Sequence, residues 1–180
     1  MNILLLSGSS RNGSFNTALL DSAASLLKDC QTSRFAIEQL PFYSDSLDGD
    51  NRPAVVRDFI TAVEQADALL IATPEYNYSI PAVLKNALDW ASRPAFVSPM
   101  KGKPVAIVSA SPAISGGIQA QAHLKHVLAG MLANSYPSPA FCVGQSHNVI
   151  NNGKLQDSET EQRLAGYLEG FLHWLETGRL

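Results

Sequence analysis

Charge is scarce in this chain. Only 16% of its 180 residues are Asp, Glu, Lys or Arg, and 13 basic against 16 acidic residues leave a net charge of −3. Nucleic-acid affinity rests mainly on phosphates neutralised by Lys and Arg, so no nucleic-acid partner is expected. Cysteine is scarcer still: Cys30 and Cys142 stand far apart, with no CxxC pair. Two buried free thiols in a reducing cytoplasm are expected, with one long-range disulfide as the other reading. No run approaches the roughly 20 apolar residues that cross a bilayer, so no membrane partner is expected. Residues 1–7 lack the basic lead and longer apolar run of a secretion signal, and the expected location is cytoplasmic. His123 and His126 lie one helical turn apart, but no cysteine or close carboxylate completes a set, so no metal is expected. The GxSxG elbow is missing around Ser111, which argues against hydrolase chemistry.

What the chain does have is apolar material. At 46% hydrophobic residues it can bury a sizeable core, and residues 1–180 are expected to form a single domain. Five short apolar runs, at 3–6, 35–37, 68–72, 105–108 and 140–143, predict strands. Most are nearly continuous rather than alternating, as in strands covered on both faces. Helical spacing lies between them. Ile80, Leu84, Ala87, Leu88 and Ala91 share one face; Ala120, Leu124, Val127, Leu128 and Met131 share another. Leu164, Leu168, Phe171, Leu172 and Leu175 make a closing helix. Further helices are predicted near 14–28 and 53–65, the second starting at Pro53 with Val56, Phe59, Ile60 and Val63 inward. Five strand–helix units predict an α/β fold, a three-layer α/β/α sandwich around a parallel sheet. On pattern alone, the strand order 2-1-3-4-5 is one of two or three candidates. The polar stretches at 41–52, 94–103 and 145–158 read as surface loops.

The first strand runs directly into the SGSSRNGSFNT segment at 7–17. A glycine-bearing turn opening a helix exposes main-chain N–H groups to whatever sits above. Ser9, Ser14 and Thr17 add hydroxyls, Asn16 an amide and Arg11 a forked cation, a set suited to a phosphate of about two charges. The plainer reading is a polar turn with Ser14 as a helix cap. Neither GxxxxGK[ST] nor GxGxxG is present, which points to a terminal monophosphate rather than a pyrophosphate.

After the third strand comes TPEYNYSIP at 73–81, and in an open sheet ligands sit outside the carboxyl ends of the strands. Pro74, Glu75, Tyr76 and Asn77 offer main-chain groups, a ring and an amide suited to a flat heterocycle. The plainer reading has Ser79 capping the next helix and the tyrosines half-buried. The fourth strand ends in SASPAISGG at 109–117, where Gly116 and Gly117 permit close approach to a ligand or tight packing.

Taken together, GSSRNGSFNT at 8–17, PEYNYSIPAVLKNALDWASR at 74–93 and SASPAISGGIQAQAHLKHVL at 109–128 closely resemble the NAD(P)H-dependent FMN reductase family, with GQSH at 144–147 a weaker match. The resemblance implies a flavodoxin-like fold with a five-stranded parallel sheet in the order 2-1-3-4-5. It implies FMN as cofactor, NAD(P)H as hydride donor and a small-molecule electron acceptor such as a quinone, free flavin, azo compound or metal oxyanion. By position, it implies that Ser9, Arg11, Ser14, Asn16 and Thr17 hold the FMN phosphate and that Pro74, Glu75, Tyr76 and Asn77 line the ring edge. Ser109, Gly116 and Gly117 would flank the flavin. No side chain is implied as an acid–base catalyst, because the cofactor carries the chemistry. A homodimer, sometimes paired into a homotetramer, is implied, with helix 81–92 near the interface. Ala113 and Gln119 depart from the glycine and arginine frequent in relatives. A flavodoxin-type electron carrier and a non-catalytic flavin-binding regulatory protein are the alternative readings.

Overall fold

The structure is a computed structural model that describes residues 1–179. Its main sheet is wholly parallel in the order β2-β1-β3-β4, with β5 and β6 end to end along the outer edge of β4. The strands are β1 (Asn2–Ser7), β2 (Gln31–Arg34), β3 (Ala68–Ala72), β4 (Pro104–Ala110), β5 (Asn134–Ser135) and β6 (Phe141–Val143). The helices are α1 (Phe15–Leu26), α2 (Ala54–Gln65), α3 (Ala82–Ala91), α4 (Ile118–Gly130) and α5 (Ser158–Thr177). The three layers and the order 2-1-3-4-5 match the sequence expectation.

Side chains of a strand alternate between faces, and here each face has its own core. Leu4, Leu6, Leu69, Ile71, Val105 and Ile107 pack under α2, α3 and α4. Ile3, Leu5, Leu70, Ala106 and Val108 pack under α1 and α5. All five residues of β3 are buried, as its unbroken apolar run requires.

One strand was misplaced by the apolar pattern, and another was found only in part. The second strand is not 35–37 but the polar Gln31–Arg34, paired from Asn2↔Gln31 to Leu5↔Arg34. As an edge strand it buries little, so burial left no apolar signature, while Phe35 turns inward onto Phe59 at 5.1 Å. The fifth strand, expected at 140–143, is divided into β5 and β6. Pro137 and Pro139 between them have no N–H to donate to a ladder. The resulting gap beside Ile107 is filled from α5: the Tyr167 hydroxyl donates to the Ile107 carbonyl at 2.9 Å and accepts its N–H at 3.2 Å. Burial pushes that phenol well above its ordinary pKa.

The segment 145–158, expected as a loop, carries a short antiparallel hairpin of β7 (Ile150–Asn151) and β8 (Lys154–Leu155). Cys30 and Cys142 are free, as expected, but half-buried rather than buried. Val127 and Met131 are likewise only half-buried, facing a cleft between α3 and α4.

Candidate functional site

The carboxyl ends of β1, β3 and β4 point to one side of the sheet, and a cavity of about 190 Å³ opens there. Ser9, Arg11, Ser14 and Asn16 line one wall, Pro74, Glu75 and Tyr76 another. Of the expected residues, these seven are brought together. Phe15 and the run Ala110, Ser111, Pro112 complete the lining. Phe15 lies between two expected residues, and residues 110–112 lie within the 109–117 strand-end segment, though none of the four was expected at the site.

The phosphate wall begins at the first turn of α1, which carries no acidic residue. Ser14 caps it, accepting from the N–H groups of Asn16 at 3.2 Å and Thr17 at 3.4 Å. Arg11 is exposed, its guanidinium 5.2 Å above the Phe15 ring and 3.4 Å from the Gly13 carbonyl. It takes part in none of the salt bridges among the described residues. An uncompensated cation beside the acid-free, positive end of a helix is the charge pattern that receives an anion. A phosphate of about two charges therefore fits this wall.

Two residues of this loop serve it from beneath. The Asn16 amide donates to the Ala110 carbonyl and accepts from the Ala110 N–H, both at 2.9 Å, so it ties α1 to the end of β4. Thr17, expected at the phosphate, instead shares a 3.0 Å hydrogen bond with Ser7 and lies outside the cavity lining.

The second wall is a tight reversal. Tyr76 and Ser79 exchange main-chain hydrogen bonds at 2.9 and 3.0 Å across Asn77 and Tyr78, whose φ angles are 50° and 63°. Asn77 sits at the tip, exposed and outside the lining. Both tyrosines are exposed, not half-buried. Ser79 does not cap α3, whose N-cap is Pro81; its hydroxyl meets Nδ1 of His123 at 2.6 Å. His123 therefore holds the reversal. The Glu75 side chain turns away from the ring wall and accepts from the N–H groups of Gln119 and Ala120 at 2.9 and 3.1 Å.

Ser109, Gly116 and Gly117 were expected to flank the ring, and the structure places them inside. Ser109 is fully buried; its hydroxyl donates to the Gly116 carbonyl at 2.6 Å and accepts from Gln121 at 2.7 Å. A Cβ on Gly116 would lie 2.9 Å from the Cβ of Cys142. The glycine pair thus serves the tight packing of this turn against β4 and β6. Burial pushes the Cys142 thiol above its ordinary pKa.

A larger cleft of about 450 Å³ lies between α3 and α4, lined by Arg93, Phe96, His123 and Met131 among others. It sits against helix flanks rather than strand ends, so the strand-end crevice is the better ligand site. No cluster of metal-ligating side chains exists among the described residues.

Comparison with known proteins places these observations. The profile described as NADPH-dependent FMN reductase matches residues 1–148. An NAD(P)H-dependent FMN reductase of Pseudomonas aeruginosa is 37% identical, over 96% of this chain and 94% of that one. A 2-hydroxy-1,4-benzoquinone reductase of a Burkholderia species is 38% identical, over 100% of this chain and 99% of that one. Among solved structures, the flavoenzyme NAD(P)H:(acceptor) oxidoreductase FerB of Paracoccus denitrificans superposes with a TM-score of 0.87 at 33% identity, covering 97% of both chains.

Proposed function

The chain belongs to the NADPH-dependent FMN reductase family, and from that membership we propose that it oxidises NAD(P)H and reduces a small acceptor of the quinone class, with FMN held in the strand-end crevice. When bound, FMN supplies the acceptance and return of a hydride that no protein side chain can perform.

The chain's own residues hold and orient. Arg11, Ser9, Ser14 and the positive end of the α1 dipole take the phosphate. The main chain of 74–76 and the Tyr76 side chain would line the ring. Asn16 ties the phosphate wall to the end of β4 through Ala110. We assign supporting roles to Thr17, through Ser7, and to Asn77, Ser109, Gly116 and Gly117, through the shape of their turns. No side chain is given an acid–base step.

Residues 1–180 are read as one catalytic domain. A homodimer is supported by large apolar side chains left in solvent, among them Phe96 at 73% and Val97 at 70% exposure. A cytoplasmic location fits two free cysteines; no helix among the described residues is long and apolar enough to cross a membrane.

One observation carries this reading: an acid-free helix start with a free arginine shares a single cavity with the 74–76 main chain. The test is to purify the protein, record its visible spectrum and follow NADH and NADPH oxidation against a panel of quinones. A flavin spectrum with steady turnover, and no added reductase, is expected. A colourless protein that FMN cannot reconstitute overturns the reading.

A further inference from the structure

Helix α4 begins without a cap of its own. Its N-cap position is Gly117, at φ 92°, which has no side chain to accept the first N–H groups. Those of Gln119 and Ala120 are taken by the Glu75 carboxylate, 44 and 45 residues away in sequence. The start of α4 is itself tightly packed: Gly116 lies close against Cys142 and Gly144, and its carbonyl accepts from buried Ser109.

The partner of this anchor is a strained segment. Asn77 and Tyr78 both have left-handed backbone conformations, which non-glycine residues adopt only where their surroundings hold them there. Two side chains clamp the reversal to α4: Glu75 at the first turn and Ser79, through His123, about one turn further along. Between these clamps and the cavity lies the main chain of 74–76.

We infer that Glu75 is a positioning residue for the flavin site: its carboxylate, seated on the first turn of α4, holds the 74–76 main chain at the ring wall and sets a fixed negative charge behind it. The inference rests on the FMN reading above. A helix start carries a partial positive charge, and the carboxylate offsets it. A negative charge near a redox group disfavours electron gain. Charge and geometry therefore separate in two variants. Glu75→Gln keeps an acceptor oxygen for the N–H groups and loses the charge, whereas Glu75→Ala loses both.

The experiment titrates FMN into flavin-stripped protein by fluorescence quenching and measures the midpoint potential of the reconstituted holoprotein. Asp157→Ala serves as control. Asp157 caps α5 in the same manner, through the Thr160 N–H at 2.8 Å, and lies outside the cavity lining. Expected are FMN binding weaker by about tenfold in Glu75→Ala, the size of a lost cap, and binding within about threefold in Glu75→Gln. The Glu75→Gln potential should move positive, and the control should change neither quantity. Wild-type affinity in Glu75→Ala, an unmoved potential in Glu75→Gln, or an equal loss in the control overturns the inference while the FMN reading stands. If Glu75→Ala does not fold, the potential of Glu75→Gln decides. A wild-type protein that does not take up FMN overturns both.

Discussion

Two turns leave the carboxyl end of the sheet toward the same crevice, one after β1 and one after β4, and both are rich in serine and glycine. A Cβ on Gly13, in the first, would meet nothing within 4 Å; one on Gly116, in the second, would press on Cys142 and the Gly144 main chain. In the first turn Arg11 is exposed without an acidic partner and Ser14 sits over an acid-free helix start. In the second, Ser109 is spent on Gly116 and Gln121, and the helix start is filled by Glu75. The first turn leaves its arginine unpaired at the crevice, although Ser14, Asn16 and Thr17 also bond within the protein; the second uses its polar groups to pack. Residue type does not separate the two roles, and the difference lies in what stands within 4 Å.

The contrast breaks most readily at the glycines. Gly116→Ala combines a positive φ with a Cβ against backbone and should cost about 2–4 kcal/mol. Gly13→Ala has the positive φ of 68° but open space, and should cost only about 1 kcal/mol. Urea unfolding of the two variants measures both, and equal losses would erase the distinction.

Tyr167→Phe tests the packed side further along β4. It strips the Ile107 carbonyl and N–H of their partner and should lose about 1–3 kcal/mol in the same assay, with the flavin site untouched. The open side is tested by Arg11→Ala. Stability should stay within about 0.5 kcal/mol, since the side chain is exposed, while FMN affinity falls about tenfold. An Arg11→Ala protein that binds FMN as the wild type does would remove Arg11 from the phosphate wall.

The smallest effect concerns a filled helix start. Hydrogen bonds from the Thr160 hydroxyl and N–H hold the Asp157 carboxyl below its ordinary value. A depressed carboxyl contributes stability above its unfolded pKa and loses it as pH falls through the folded one. The melting-temperature advantage of wild type over Asp157→Asn should therefore shrink between about pH 5 and about pH 3. A constant difference would mean that the charge on Asp157 does not matter to the cap.

The legible parts of the fold were those where burial is two-sided. The run 68–72 became β3 residue for residue, and Leu84, Ala87, Leu88 and Ala91 face the core as their spacing required. Legibility failed at the sheet's edges. Gln31–Arg34 forms a ladder without burying apolar surface, and Asn134–Ser135 is too short to show a period. At the site, the loop from Ser9 to Asn16 and the wall from Pro74 to Tyr76 were readable because helix starts and strand ends are local features. The Glu75–α4 bond and the inward turn of Ser109 join residues through the fold, and nothing in a short window signals them.

The sequence by itself determined the layers and the exposed donors of the first turn, because apolar period, glycine placement and an unpaired arginine are properties of neighbouring residues. Only the tertiary structure decided which of two similar turns would be filled by the protein and which left for a ligand. That choice depends on side chains arriving from 20 to 94 residues away, such as Gln121 on Phe141 or Asn16 on Ala110. A hydrogen bond satisfied by a distant partner removes that polar group from the ligand's reach, and sequence proximity carries no record of it.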